Sequence, residues 1–229
     1  MISDLGLTDY EDCYRSQMEL VSRRKLGETR DSLIITEHRP VFTIGRAGHK
    51  NNLLVSEAVL EAQGIKALKA DRGGDITFHG PGQAVFYPII DLKERGRDLH
   101  RYMRDLESVA ISFLNGYGVI AERLQGRTGI WAGGKKVASI GVGASNWVTY
   151  HGMAVNINVD LGYFSMINPC GMKGARMTSL GEILGGPVPM RAATERLLSS
   201  FRKIFGMEDN TGGMYHDGCK ITGACGRRQ

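Results

Sequence analysis

Three short stretches carry residue types that could do chemistry. The first, INPCG, sets Cys170 between a proline and a glycine, so a conformationally restricted loop presents the sulfur. A thiolate is a strong nucleophile, but a free thiol has a pKa of about 8.5 and needs a nearby base or positive charge to ionise at neutral pH. Cys170 is therefore either a nucleophile with a partner elsewhere in the chain or an ordinary loop residue.

A possible partner lies in the second stretch, GGKKVASIGVG. Lys135 and Lys136 follow a Gly-Gly turn and begin a strand, in which successive side chains point to opposite faces. One lysine is expected to face water, and the other can enter a pocket. A partly buried lysine loses proton affinity and can act as a base, or its charge can favour a nearby thiolate.

The third stretch, DRGGDITFHGPGQ, covers residues 71–83 and is rich in glycine. Arg72 and His79 are residue types that bind carbonyls, carboxylates and phosphates. Paired glycines let a ligand approach the backbone closely. The stretch is either a ligand-binding loop or a tight surface loop. His151, at the start of a later strand, is expected to be a structural histidine.

Composition limits the classes of protein that this chain can belong to. It has 229 residues, 42% hydrophobic and 23% charged, with a net charge of +5, as expected of one globular domain. The basic residues are scattered and are not interleaved with aromatics, which disfavours nucleic-acid binding and leaves an acidic protein partner open. No apolar run approaches the ~18 residues of a membrane helix. The acidic N-terminal stretch does not resemble a targeting signal, so we expect a cytoplasmic protein.

Common enzyme signatures are absent or incomplete. GIWAGGKK matches the front of a phosphate-binding loop, but Lys136 stands where that motif needs serine or threonine. The motifs G-x-S-x-G, H-E-x-x-H and G-x-G-x-x-G do not occur. The four cysteines have no metal-ligand spacing, and we expect no metal.

The order of predicted elements indicates an α+β fold with a mixed sheet flanked by helices. A helix is expected to begin at Thr8, with Glu11 completing a capping box. Further helices are expected at 56–64, 98–116 and 191–205, and strands at 31–38, 40–45, 65–70, 84–92, 118–124, 128–145 and 148–160. We predict one catalytic domain over residues 1–205 and a flexible Gly-rich tail over 206–229, with incidental Cys219 and Cys225.

Several motifs together resemble the lipoyl(octanoyl) transferase family. They are RGGDITFHGPGQ, GGKKVASIGV, HGMAVNINVDL and INPCG, in the family's order and spacing, preceded by LGLTDY, EHRPVFTIGR and NNLL. The resemblance covers about residues 5–185. It implies the α/β catalytic domain shared with biotin and lipoate protein ligases.

The resemblance also implies roles for particular residues. Cys170 matches the family's acyl-carrying nucleophile, and Lys136, 34 positions earlier, matches its dyad partner, which leaves Lys135 facing solvent. The positions that match the family's substrate contacts are Arg72, Gly73, Gly74, Asp75, Ile76, Thr77, Phe78, His79, Ser139, Ile140, Gly141, Gly152, Met153 and Ala154.

The reaction implied by the resemblance is the first step of endogenous protein lipoylation. An octanoyl or lipoyl group passes from acyl carrier protein to Cys170, and then to a lysine ε-amine of a lipoyl domain. The implied acceptors are the lipoyl domains of 2-oxoacid dehydrogenases and the glycine cleavage H protein. The resemblance implies no cofactor, no nucleic acid and no membrane.

Two alternatives use the same residues differently. An ATP-dependent lipoate or biotin ligase on the same fold would activate a free acid and would not need Cys170. A non-catalytic basic module would explain the charge and the tail, but it would leave the glycine-rich loop and the Lys136–Cys170 spacing without a reason. ATP dependence would distinguish the first alternative, and salt-sensitive RNA binding without acyl transfer would distinguish the second.

Overall fold

Two mixed β-sheets and the helices packed against them make up the computed structural model, which describes residues 1–169 and 174–207. The strands are β1 (Ile2–Thr8), β2 (Ser32–His38), β3 (Val41–Ile44), β4 (Lys66–Lys69), β5 (Ile76–His79), β6 (Gln83–Ile89), β7 (Ile130–Ala132), β8 (Lys135–Ser145) and β9 (Val148–Asn156). The helices are α1 (Tyr10–Lys25), α2 (Glu57–Ala62), α3 (Leu99–Asn115), α4 (Leu180–Leu184) and α5 (Met190–Phe205), with short 3-10 helices at Lys50–Asn52, Leu92–Arg95 and Leu161–Met166.

The larger sheet has the strand order β1-β2-β6-β9-β8-β7. Its β1–β2 pair is parallel and its other pairs are antiparallel. Both faces are covered, because Leu33 and Phe86 join the core under α3 and α5, whereas Ile34 and Tyr87 join the core under α1. This two-sided burial explains the apolar runs at residues 33–35 of β2 and 84–89 of β6.

A second, smaller sheet has the strand order β4-β3-β5. Its β3–β4 pair is parallel and its β3–β5 pair is antiparallel. Phe42 and Phe78 form its core together with Leu60 of α2 and Phe164. The glycine-rich stretch 71–83 therefore contains strand β5 and connects the two sheets.

Helix α3 forms where the sequence predicts it. Asp98 caps its first turn by accepting a hydrogen bond from the N–H of Arg101 at 2.9 Å. Leu106, Val109 and Phe113 follow at helical spacing and are completely buried in the core. The predicted α+β fold is confirmed by this arrangement. None of the described helices is both long and apolar enough to cross a membrane.

Three local predictions were wrong. Residues Ile2–Thr8 form edge strand β1, so Thr8 pairs with His38 and does not cap α1. Helix α1 begins at Tyr10, and its N-cap is Asp9, one residue after the predicted cap Thr8; Asp9 makes no side-chain capping bond. Residues 118–124 form no strand, only an isolated bridge between Glu122 and Trp131. The predicted tail lies almost entirely outside the described residues.

Candidate functional site

A cleft opens between the glycine-rich stretch and the middle of the β8–β9 pair. It encloses about 480 Å³, including the solvent at its mouth. The sequence-predicted residues that line it are Arg72, Gly74, Asp75, Ile76, Thr77, His79, Lys136, Ser139, Ile140, Gly141, Gly152, Met153 and Ala154. Segments that are distant in the sequence are thus brought together in one place.

Two predicted binding residues do not line the cleft. The N–H of Gly73 donates to the carbonyl of Val142 at 2.8 Å, which ties the loop to β8. The ring of Phe78 is completely buried in the core of the smaller sheet, stacked on Tyr163 at 4.4 Å between centroids. Gly73 therefore attaches the glycine-rich stretch to β8, and Phe78 attaches it to the core of the smaller sheet.

Lys136 is almost completely buried, with 1% of its surface exposed. Its Nζ lies over the ring of Trp131, 5.2 Å from the centroid, a distance at which a cation interacts favourably with an aromatic face. On another side it meets Gly129, where an added Cβ would lie 3.0 Å from Nζ. The lysine side chain is therefore confined by its neighbours at one wall of the cleft.

Lys135 points the other way, as strand alternation requires. Its Nζ forms an ion pair with Glu182 of α4 at 2.9 Å, and about a third of its side chain remains exposed. Glu182 also accepts a hydrogen bond from the hydroxyl of Thr178 at 2.5 Å. These bonds from Thr178 and Lys135 lower the pKa of the Glu182 carboxyl, so it stays ionised at neutral pH.

The predicted nucleophile Cys170 lies outside the described residues. The chain before it is anchored by an antiparallel bridge between Leu53 and Ile167. The chain after it returns beside Lys136, because Met177 forms a parallel bridge with Lys136 and the N–H of Thr178 donates to the Lys136 carbonyl at 2.9 Å. The sequence that contains Cys170 thus rejoins the sheet at the buried lysine.

Arg72 anchors the glycine-rich stretch. Its guanidinium donates to the hydroxyl and carbonyl oxygens of Thr43 at 2.6 to 3.2 Å, and to the carbonyl of Gly73 at 3.0 Å. The loop packs so closely on β8 that a Cβ at Gly141 would lie 2.9 Å from the Gly73 carbonyl oxygen. Glycine at position 141 is needed for this close approach.

The inner wall of the cleft is a cluster of aromatic rings that the sequence analysis did not predict. Tyr10, Tyr87 and His151 line the cleft together with Val85. They come from α1, β6 and β9, so no short motif brings them together. The sequence signal nearest to them is the histidine of YHGM, and a lone histidine at the start of a strand predicts only a structural role.

His151 is hydrogen-bonded to Asp71, with its Nε2 lying 2.8 Å from Oδ1. Burial lowers the pKa of His151 to about 4, although the Asp71 carboxylate opposes this effect. Burial raises the pKa of Asp71, but hydrogen bonds from His151, Tyr150 and Tyr14 outweigh it and leave the pKa lowered. At neutral pH the pair is therefore a neutral imidazole that donates to a carboxylate, which fixes β9 to the start of the glycine-rich stretch.

Comparison with known proteins identifies the class. A sequence profile of the lipoyl protein ligase A/B catalytic domain matches residues 9–202. The chain therefore belongs to this family. An octanoyltransferase from Geobacter metallireducens is 50% identical over 190 residues, which cover 83% of this chain and 86% of that protein. The predicted resemblance is confirmed, and with it the prediction of an octanoyltransferase of protein lipoylation.

Solved structures agree with this fold. Lipoate-protein ligase A bound with ATP is 16% identical, with a TM-score of 0.70 over 90% of this chain and 85% of that chain. The biotin protein ligase of Aquifex aeolicus is 14% identical, with a TM-score of 0.52 over 90% of this chain and 68% of that chain. At such low identity these likenesses concern the fold alone, and they confirm the predicted fold of a ligase catalytic domain.

Proposed function

We propose that this protein transfers an octanoyl group from acyl carrier protein to the ε-amine of a lysine in a lipoyl domain, through a thioester on Cys170. The observation that carries the proposal is the buried side chain of Lys136 in the cleft, with the chain downstream of Cys170 paired to its backbone. Such a lysine can take the proton of a thiol or stabilise the thiolate by its charge.

The first half-reaction makes the acyl-enzyme. Lys136 takes the proton of Cys170, and the thiolate attacks the thioester carbonyl of the donor. The new carbon–sulfur bond forms, the carrier's sulfur leaves, and the proton on Lys136 neutralises it. Backbone N–H groups at the cleft stabilise the oxyanion of the tetrahedral intermediate.

The second half-reaction transfers the acyl group to nitrogen. A neutral lysine ε-amine of the lipoyl domain attacks the acyl-enzyme carbonyl, an amide bond forms, and the sulfur of Cys170 leaves. The amine loses one proton in this step, and Lys136 passes it to the departing thiolate. The acyl group already carries its activation as a thioester, so the reaction needs no ATP.

Charge favours both protein substrates. The net charge of +5 attracts acidic partners over a distance and fits acidic carrier and lipoyl domains. A reducing cytoplasm keeps Cys170 as a free thiol, and we place the enzyme there. The catalytic domain is proposed to end near residue 205.

Intact-mass analysis after mixing with octanoyl-acyl carrier protein tests the proposal. We expect one octanoyl group, sensitive to hydroxylamine, on the peptide that contains Cys170. The Cys170→Ser variant should carry no hydroxylamine-sensitive group, whereas Cys13→Ser serves as the matched control and should still be acylated. An octanoyl group on Cys219 or Cys225, or on no cysteine, would contradict the proposal.

ATP separates this reaction from that of a ligase. We expect that adding ATP and free octanoate, without the acyl carrier protein, gives no octanoylated lipoyl domain. A rate that depends on ATP would instead favour the ligase alternative. The two outcomes use the same purified protein and the same acceptor domain.

A further inference from the structure

A row of buried amide groups runs behind the cleft. Nδ1 of His79 lies 2.7 Å from Oε1 of Gln83, and Nε2 of Gln83 donates to Oδ1 of Asn156 at 2.9 Å. Nδ2 of Asn156 then donates to the carbonyl of Thr178 at 2.9 Å. Gln83 and Asn156 are directly opposite each other in the β6–β9 pair, and all four residues are buried. The proposed reaction gives Gln83 and Asn156 no role.

The direction of this row is fixed by backbone carbonyls, which can only accept. The Thr178 carbonyl requires the NH₂ end of Asn156, so the oxygen of Asn156 faces Gln83. The Phe78 carbonyl, 3.3 Å from Nε2 of Gln83, likewise requires the NH₂ end of that residue. The oxygen of Gln83 therefore faces His79 and needs a donor. His79 must carry its proton on Nδ1.

This tautomer leaves Nε2 of His79 as a hydrogen-bond acceptor. Burial lowers the pKa of His79 well below its usual value, and the nearby His38 and Arg72 act in the same direction. The ring is therefore neutral at pH 7. Since Nδ1 is already bonded to Gln83, Nε2 is the ring atom left to meet a ligand in the cleft. An acceptor at this position suits an N–H group and not a carbonyl oxygen.

The far end of the row reaches the nucleophile's segment. Thr178 accepts from Asn156 through its carbonyl, and its own N–H donates to the carbonyl of Lys136. The same row of bonds thus connects a histidine of the glycine-rich stretch with the chain downstream of Cys170. A buried row in which every amide is satisfied holds its members in one arrangement.

We infer that Gln83 and Asn156 are positioning residues for acyl transfer, which fix Nε2 of His79 as an acceptor for the incoming amine and hold Thr178 against Lys136. This inference rests on the proposed function for its reaction. Its hydrogen-bond assignment does not, because the tautomer of His79 can be measured without any substrate. The two claims can therefore fail separately.

The first measurement needs no substrate. In protein labelled with ¹⁵N-histidine at pH 7, the ring nitrogen shifts report which nitrogen carries the proton, and loss of the signal in His79→Phe assigns it. We expect the Nδ1–H tautomer in the wild-type protein and a shift away from it in Gln83→Met, which removes the acceptor. An Nε2–H tautomer in the wild type, or an unchanged tautomer in Gln83→Met, would overturn the inference.

The second measurement separates positioning from mere stability. Asn156→Asp replaces the NH₂ group that faces the Thr178 carbonyl with oxygen. Asn158→Asp is the matched control, because Nδ2 of Asn158 donates to the Val188 carbonyl at 2.7 Å but takes no part in the row. We expect kcat to fall about 10- to 100-fold in Asn156→Asp, as for other residues that orient a site, with KM for octanoyl-acyl carrier protein unchanged. Asn158→Asp should keep a near-normal kcat.

Equal losses in Asn156→Asp and Asn158→Asp, or a loss confined to KM, would overturn the inference. Folding of each variant is checked by its urea-unfolding midpoint. Absence of any octanoyl transfer by the wild-type protein would contradict the proposed function. In that event the histidine spectra would still decide whether the row of hydrogen bonds exists as assigned.

Discussion

Gly129 offers the most direct test of how Lys136 is placed. Its φ is +126°, and an added Cβ would contact Cε of Lys136 and lie 2.6 Å from the carbonyl oxygen of Ala138. The backbone cannot easily retreat, because the N–H of Gly129 is directed at the buried carboxylate of Glu107 at 3.4 Å. That carboxylate is also held by an ion pair from Arg123 at 2.8 Å. The Gly129→Ala substitution should therefore displace the side chain of Lys136.

The magnitude follows from two costs. Holding a non-glycine residue in this backbone region costs about 1 to 3 kcal/mol, and forcing a methyl group into a packed site costs about 1 to 3 kcal/mol more. Gly129→Ala should thus lose about 2 to 6 kcal/mol of unfolding free energy, a large part of the roughly 5 to 15 kcal/mol of a typical domain. A displacement of Nζ by about 1 Å should lower the transfer rate about 100-fold.

Gly133→Ala is the matched control. Gly133 also has a positive φ, +56°, but an added Cβ would meet nothing within 4 Å. Urea unfolding should show that both variants lose stability, whereas octanoyl transfer should be slowed only in Gly129→Ala. The reasoning is refuted if folded Gly129→Ala transfers the octanoyl group at the wild-type rate. It is also refuted if the transfer rate falls by the same factor in both variants.

Three further predictions concern charge and titration. The acyl-transfer rate should fall about 100- to 10,000-fold in Lys136→Ala. Lys135→Ala should lose only attraction for acidic partners, and this loss should disappear with added salt. Equal rate losses in the two variants, measured at both low and high salt, would argue against the dyad. Burial lowers the pKa of both His38 and His151 to about 4. As the pH falls, the unfolded state therefore binds protons before the folded state does. The unfolding free energy should decrease from about pH 6.5 to pH 4, by up to about 1.4 kcal/mol per pH unit for each histidine. Urea unfolding across that range checks this, with His38→Gln expected to flatten the profile and a flat wild-type profile speaking against it. Burial raises the pKa of the Cys13 thiol to about 12, so iodoacetamide at pH 8 should modify Cys13 only after denaturation, and peptide mapping that finds it modified in the native protein would contradict its burial.

The sequence predicted the helices and strands that have a capping residue or a clear apolar periodicity. Helix α3 has both a capping aspartate and a clear apolar face, and the β8–β9 strands have alternating apolar positions. Strand β1 lacks such a signal, since Leu5 and Leu7 are exposed and its partner β2 is reached only after helix α1. Thr8 fits a capping-box pattern in the sequence, but its pairing with His38 places it at the end of β1 instead.

The site was predictable to a similar extent. Strand alternation alone required Lys135 and Lys136 to diverge, but it did not say which lysine enters the cleft, and the family resemblance supplied that choice. The burial of Lys136 agrees with it. Tyr87 and His151 could not be predicted as cleft residues, because their proximity depends on how β6, β9 and α1 pack and not on spacing along the chain.

The chain rejoins the larger sheet at Met177, and the length of the segment before this point affects stability and activity differently. About 20 residues leave the larger sheet after Asn156 and rejoin it beside Lys136, and the two ends are joined directly by the hydrogen bond from Asn156 to Thr178. Because closure entropy rises only with the logarithm of loop length, two inserted residues would cost about 0.1 kcal/mol. Placed between Cys170 and Met177, such an insertion would avoid the buried residues Phe164 and Ile167 and leave the unfolding free energy nearly unchanged, but it would lengthen the connection between the proposed nucleophile and the return of the chain beside Lys136. Under the proposed function, selection for thermal stability therefore does not maintain the length of this connection, whereas selection for acyl transfer does.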